Sequence, residues 1–319
     1  MEPKILANNA AEFLGITVQA IHKQLKSKDL PHKKNNNRVY FDHLTAKEIF
    51  DIEVNPTVIS SQIVKGGTGK TTLLFSLAIA LNLYGLNVLC IDLDQQANLS
   101  KFMGVLSKDT PVMIDIIQED INLNDCIKNV SPGLDLIPSR IENAMLDNVL
   151  MLNSFALDHV YKDKIDEVKK NYDFVLIDCP PSLGQSVTAA ALASDCIITP
   201  VNPEKFATDG LNIVIDEVKN INKKFRSKLN VKIILNKFDV RTNLSHLILT
   251  DLIKNEPYSS LLFPMYIRLS QEFPNSTAKG QSIFDGIKNN TAKEDIDLWA
   301  REIIKIYKKD THNTTEEEV

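Results

Sequence analysis

The chain has 319 residues, 44% of them apolar and 24% charged, with a formal net charge of −5. This length suits one large α/β domain, or a medium domain with a small extra one, and allows a sizeable core. The composition is that of an ordinary soluble globular protein, and the acidic balance excludes a chain coated in basic residues without excluding local basic patches.

The four cysteines, Cys90, Cys126, Cys179 and Cys196, form no C-x-x-C pair and no Cys/His cluster with metal-ligand spacing. They read as buried, reduced thiols of a cytosolic protein. The start, Met1-Glu2-Pro3-Lys4, lacks the basic-then-apolar order of a signal peptide. The expected location is therefore cytoplasmic.

Residues 1–50 read as a small winged helix-turn-helix domain. Asn9 and Glu12 have the spacing of a capping box, and Ala10, Ala11 and Leu14 supply one apolar face. Gly15 makes a short turn, and Thr17 is placed to cap the next helix. With Val18, Ile21 and Leu25 facing a core, Gln19, His22, Lys23 and Lys26 point outward, where base edges and phosphates are read. Lys33, Lys34 and Arg38 then lie in a polar wing. Between Thr17 and Phe41 six Lys/Arg stand against one Asp, a local excess of five positive charges. The segment resembles the MerR-type winged helix, which implies specific DNA binding. The plainer alternative is a helical cap or interaction module with a solvated basic face.

Residues 51–56, ending in Pro56, read as a linker. Residues 57–309 alternate strand-like and helix-like runs, with strands expected at Thr57–Val64, Asn87–Leu93, Leu134–Ile137, Phe174–Ile177, Cys196–Val201 and Val231–Leu235. These runs are continuously apolar, as strands covered on both faces are. The expected fold is α/β, a doubly wound and mostly parallel sheet, whose ligands bind at the carboxyl ends of the strands. The apolar stretch Leu73–Ile91 approaches membrane-spanning length, but Gly85 and Asn87 interrupt it, and a buried helix followed by a buried strand accounts for it. Residues 310–319 read as a disordered acidic tail.

After the first strand comes Lys65-Gly66-Gly67-Thr68-Gly69-Lys70-Thr71-Thr72, opening a helix. Its glycines let the backbone bring N–H groups close to phosphate oxygens, and the helix start adds partial positive charge. Lys70 is expected to reach the β- and γ-phosphates of ATP and the Thr71 hydroxyl to bind Mg²⁺. Asp178, at the end of a later strand, fits a carboxylate that holds Mg²⁺ through water. Asp92 and Asp94 end another strand. Asp94 is the better candidate to orient an attacking water, while one of the pair can simply cap the following helix.

These blocks, with Ile91–Ser100, Leu134–Ser139, Val175–Leu183, Pro200–Leu211, Leu235–Asp239 and Pro264–Glu272, resemble the ParA/Soj partition ATPases of the deviant Walker A group, relatives of MinD. The resemblance spans residues 57–309 and implies a P-loop NTPase fold. It implies that Lys65 is a signature lysine reaching the nucleotide of a partner subunit in an ATP-dependent homodimer. Asp94 matches the water-positioning aspartate, Asn236 the adenine-contacting asparagine, and Pro264, Met265 and Tyr266, on to Arg268, the loop beside the base. The sequence departs from the family's usual Asp-Pro-Gln-Gly-Asn at Asp94-Gln95-Gln96-Ala97-Asn98. It also has Ile63-Val64 where Asn-Gln is usual.

The expected activity is Mg²⁺-dependent ATP hydrolysis driving plasmid or chromosome partition. The implied partners are DNA, bound non-specifically by the ATP dimer, and a ParB-like protein that stimulates hydrolysis. The location would then be nucleoid-associated. Arg268, with Arg226, Lys228 and Arg241, is a candidate for the non-specific DNA surface, the plainer alternative for each being a solvated charge or an ion-pair member. The alternatives are an ATP-modulated transcription regulator and a MinD-like membrane positioner. The latter would need Leu298–Lys309 as a free amphipathic helix rather than one packed on the core, and no membrane binding is expected.

Overall fold

The computed structural model describes residues 2–36, 38–106, 109–205 and 207–309. The acidic tail at 310–319, Asn37 of the wing and Phe206 lie outside the described residues.

The N-terminal segment runs β1 (Ile5–Leu6), α1 (Ala7–Leu14), α2 (Val18–Ser27), β2 (Lys33–Asn35), β3 (Arg38–Phe41) and α3 (His43–Phe50). The three strands pair antiparallel in the order β1-β3-β2. Gly15 ends α1 at φ +66°, a conformation glycine takes without strain, and the Thr17 hydroxyl accepts the Ala20 N–H at 3.2 Å to start α2. The expected capping box at Asn9 and Glu12 is not there. Pairing of Leu6 with Tyr40 in β3 feeds the chain directly into α1, so the helix starts at Ala7 with no side-chain cap. Glu12 instead lies 3.3 Å from Arg301 of the C-terminal helix.

Among the described residues the main sheet has eight strands: β4 (Thr57–Ser61), β5 (Val88–Asp92), β6 (Lys128–Ser131), β7 (Leu134–Ile137), β8 (Phe174–Asp178), β9 (Cys196–Val201), β10 (Asn230–Phe238) and β11 (Leu262–Arg268). Their order is β11-β10-β9-β4-β8-β5-β7-β6, parallel throughout except that β6 runs antiparallel to β7. The strand after the linker stops at Ser61, three residues short of the expected Val64, because the chain leaves the sheet to form the glycine loop. The two outer strands were not expected. β6 is a short polar edge strand, and β11 carries Pro264, which an edge tolerates because its missing N–H is not needed by a second neighbour. The segment from Pro264 to Arg268 is therefore an edge strand rather than a loop.

Alternate residues of one strand serve opposite faces. Phe174 and Leu176 of β8 join a core with α4 (Lys70–Leu83) and the C-terminal helix Thr291–Tyr307. Val175 and Ile177 join another with the helices Met113–Gln118, Leu146–Leu152 and Lys162–Val168. α4 is buried almost all round, which accounts for its unbroken apolar sequence. Trp299, Ile303 and Ile304 of the C-terminal helix are likewise buried, so that helix is packed on the core. Among the described residues no helix is long and apolar enough to cross a membrane. All four cysteines are free and buried.

The N-terminal segment does not hang from a free tether. Val54 is buried and pairs with Lys308, while Asn55 N–H donates to the Tyr307 carbonyl at 2.9 Å and Lys309 N–H to that of Glu53 at 3.1 Å. The rings of Phe13, Phe50 and Tyr84 meet with centroids 4.6 to 5.4 Å apart. Arg301 donates to the Tyr84 hydroxyl at 2.8 Å and pairs with Asp297 at 2.7 Å. α3 lies so close to the turn after α4 that a Cβ on Gly85 would sit 2.4 Å from the Lys47 Cα. A Cβ on Gly133 would strike the His43 ring, and His43 Nδ1 is 2.8 Å from the Asn82 carbonyl. Burial pushes the His43 pKa down.

Candidate active site

The loop from Lys65 to Gly69 connects the carboxyl end of β4 to the start of α4, at the centre of the sheet. Gly67 and Gly69 both take left-handed φ, +76° and +92°. Gly69 also has no room for a side chain, since a Cβ would lie 2.4 Å from Asn236 Nδ2. That amide donates to the Thr68 carbonyl at 2.7 Å, and Lys237 Nζ donates to the Gly67 carbonyl at 2.7 Å. Asn236 is within β10, and one of its two amide N–H donors holds the loop. Lys65, Gly66 and Gly67 are exposed, Gly69, Thr71 and Thr72 are half-buried, and Thr68 is buried with a hydroxyl that has no hydrogen-bond partner among the described residues.

Lys70 turns inward and is only 7% exposed. Burial lowers its pKa, opposed chiefly by the charge of Asp178. Asp178 is fully buried at the end of β8, and neither carboxylate oxygen has a hydrogen-bond partner among the described residues. Burial, with Asp92 as the next cause, pushes its carboxyl well above the usual range, against the Thr71 hydroxyl and Lys70. An orphaned buried carboxylate beside a buried ammonium is costly in a protein interior, so the pair marks a ligand site. The donor set fits a cation with phosphate. Among the described residues no group of three His, Cys, Asp or Glu is arranged to hold a metal alone, so Mg²⁺ would take most of its ligands from phosphate and water.

β5 and β8 are in register, so Asp92 lies beside Asp178. Asp92 is occupied in holding the backbone. It accepts the Ser100 N–H at 2.9 Å, the Ser100 hydroxyl at 2.7 Å and the Asp94 N–H at 3.2 Å. Burial pushes its pKa up to about 6. Asp94 is 7% exposed and accepts the Gln96 N–H at 2.9 Å, while its carbonyl receives the Ser139 hydroxyl at 2.7 Å. Ser139 N–H donates in turn to the Ser100 hydroxyl at 2.9 Å. These serines, absent from the sequence-based candidates, fix the turn that carries Asp94. Ala97, standing where the family pattern has glycine, still takes a left-handed φ of +52°, so the turn is kept at a cost of roughly 1 kcal/mol. Ile63 is 4% exposed and packs with Val201, Ala207 and Leu211, so its replacement of a polar residue is a change inside the core.

The remaining candidates scatter. Pro264, Met265 and Tyr266 lie on β11, with the Tyr266 ring stacked on Phe238 at 4.1 Å. Arg268, expected on a DNA-facing surface, is committed to Asp295 at 2.6 Å and Glu294 at 3.1 Å, with its own N–H on Asp295 as well. Arg241 pairs with Asp239 at 2.8 Å, while Arg226 and Lys228 are exposed. Gln19, His22, Lys23 and Lys26 are exposed on α2, and Lys33 and Lys34 are exposed on β2. Arg38 is exposed too, but its guanidinium donates to the Ile287 carbonyl at 3.1 Å, tying the hairpin to the larger domain. Glu204 was not among the candidates. It reaches Lys65 from 139 residues away, and no spacing rule links positions so distant.

Comparison with known proteins agrees with this geometry. Residues 56–231 match the profile of a family described as an AAA domain. The sporulation initiation inhibitor protein Soj of Bacillus subtilis is 32% identical over 213 residues, covering 65% of this chain and 83% of that protein. The chromosome partitioning protein ParA of Caulobacter vibrioides is 28% identical over 215 residues, covering 65% and 80%. The solved structure of a Cyanothece McdA complex with ATP shares the fold with a TM-score of 0.70 at 20% identity, covering 78% of this chain and 96% of that one. The chain belongs to the ParA/Soj family of P-loop ATPases.

Proposed function

We propose that this protein is a Mg²⁺-dependent ATPase that dimerises on ATP, binds DNA without sequence preference, and partitions a plasmid or chromosome with a ParB-like partner that stimulates hydrolysis. The observation that carries the reading is Lys70, buried at the mouth of the glycine loop beside the unpartnered Asp178 carboxylate. Family membership supports the partition or positioning role.

Backbone N–H groups of Gly66 to Lys70 would cradle phosphates, and the Lys70 ammonium would balance charge on the β- and γ-phosphates. The Thr71 hydroxyl and, through water, Asp178 would hold Mg²⁺, which when bound neutralises charge developing between those phosphates. Asp94, on its serine-braced turn, would orient the attacking water. Lys65 would serve the nucleotide of the partner subunit as a second cation, in the manner of an arginine finger.

The N-terminal segment, residues 1–50, is assigned specific DNA binding, for autoregulation. Gln19, His22, Lys23 and Lys26 share the outer side of a helix that follows a tight glycine turn, with Lys33 and Lys34 on a hairpin beside it.

A mobility shift on random-sequence duplex DNA, with ATP-Mg²⁺, ADP-Mg²⁺ or no nucleotide, tests the reading. A shift only with ATP, falling steeply with salt, is expected. A weak shift indifferent to nucleotide would favour an operator-reading regulator acting through residues 1–50, and no shift at all would overturn both.

A further inference from the structure

Lys65 stands at the outer lip of the glycine loop, with its side chain about half exposed at 48%, and its ammonium is bonded to Glu204 of its own chain. Glu204 sits in the turn that follows β9 and is itself held. Its other carboxylate oxygen accepts from Asn202 Nδ2 at 3.0 Å, and the same amide lies 3.4 Å from the Gly67 carbonyl. Asn202 is buried, and Lys237 donates to that carbonyl from the end of β10. The turn after β9, the glycine loop and the end of β10 are thus laced together around Lys65. Lys65, foremost, pulls the Glu204 carboxyl below its ordinary range.

In the proposed dimer Lys65 has to reach a nucleotide held by a second subunit, and it cannot do so while bonded to Glu204. We propose that Glu204 is a restraint in cis: a positioning residue that parks the Lys65 ammonium on its own subunit and must release it before the two-subunit site closes. This rests on the dimer reading of the proposed function. The restraint is mild by construction, because ion pairs this exposed shift an equilibrium by no more than about fivefold. It is also screened by salt.

The test uses the full chain. Sedimentation velocity with ATP-Mg²⁺ gives the protein concentration at half-dimerisation, at about 50 mM and about 300 mM salt, for wild type, Glu204→Gln, Glu204→Ala and Glu204→Asp. Binding of a fluorescent ATP analogue is followed in parallel at concentrations below dimerisation. Because each dimer opens two such pairs, both neutral variants are expected to dimerise at a concentration roughly two- to twenty-fivefold lower than wild type in low salt, with the gap closing in high salt. ATP affinity of the single subunit should not move, and Glu204→Asp should return dimerisation toward wild type. A purely structural Glu204 would lower the melting temperature and weaken dimerisation and ATP binding together. If wild type dimerises but the neutral variants dimerise equally or less readily, the restraint is wrong and the dimer reading stands. If wild type forms no ATP-dependent dimer, both are wrong.

Discussion

Replacing Gly85 by alanine isolates what docks the N-terminal segment. Gly85 has φ +82°, and a Cβ there would lie 2.4 Å from Lys47 Cα and 2.6 Å from Lys47 N, backbone atoms that cannot rotate away. Ordinary contact begins at 3.4 Å, so α3 would have to withdraw by about 1 Å. The left-handed backbone costs alanine about 1 kcal/mol, and a gap of that width along the seam costs about 2 kcal/mol more. Gly104 supplies the control, since at φ +74° a Cβ there would meet nothing within 4 Å among the described residues, so that Gly104→Ala carries chiefly the backbone cost. Thermal melts should place Gly85→Ala about 6 °C below wild type and Gly104→Ala about 2 °C below. Limited proteolysis should open the segment 51–56 in the first variant alone. Nucleotide binding should survive, because Lys70 lies about 20 Å away at the other end of α4. Equal melting of the two alanine variants would refute the close-packed seam.

Lys70→Ala should weaken binding of a fluorescent ATP analogue by roughly a hundredfold or more, whereas Asp94→Ala should bind it and lose hydrolysis by about a hundredfold or more. Wild-type values for either would unseat that residue. His43, whose pKa burial lowers, favours the neutral form when folded, so its contribution is complete above about pH 6.5 and is lost as pH falls below that. Melting between about pH 7.5 and 5.5 should therefore fall further for wild type than for His43→Gln, and parallel curves would remove His43 from the seam. Arg268→Met should cost about 2 kcal/mol in denaturant titration, because it strands the buried Asp295, and should leave non-specific DNA binding unchanged. Loss of DNA binding without loss of stability would return Arg268 to the DNA surface.

What was legible in the sequence was whatever local chemistry demands. The glycine loop could be placed because only glycines at Gly67 and Gly69 allow its turns, and Lys70 and Thr71 follow at a fixed step. The inner strands could be placed because helices on both faces make them continuously apolar. The edges could not. β6 is polar because one side has no neighbour, and β11 hides behind Pro264. Nor could the long-range pairings be read. Gly85 looked like an interruption of an apolar run, yet its bareness serves α3, a helix that lies well before it in the chain. Asp94 could be preferred over Asp92 as the water-orienting carboxylate, but what Asp92 does instead, accepting from Ser100, could not be read. Whether Arg268 was a DNA contact or an ion-pair member could not be decided, because Asp295 approaches it only through the fold.

The docking of α1 and α3 has a practical consequence for anyone dissecting the protein. Cutting the chain at residue 50 would strip Phe13 and Phe50 from Tyr84, leaving a raw apolar scar along the back of α4, with Gly85, Gly133 and the Arg301–Asp297 pair opened to water beside it. A truncated chain that aggregates would then say nothing about DNA. The reading surface is better silenced by point changes on α2, and transplanting this segment onto another ATPase of the family would require carrying the bare glycines of the receiving surface along with it.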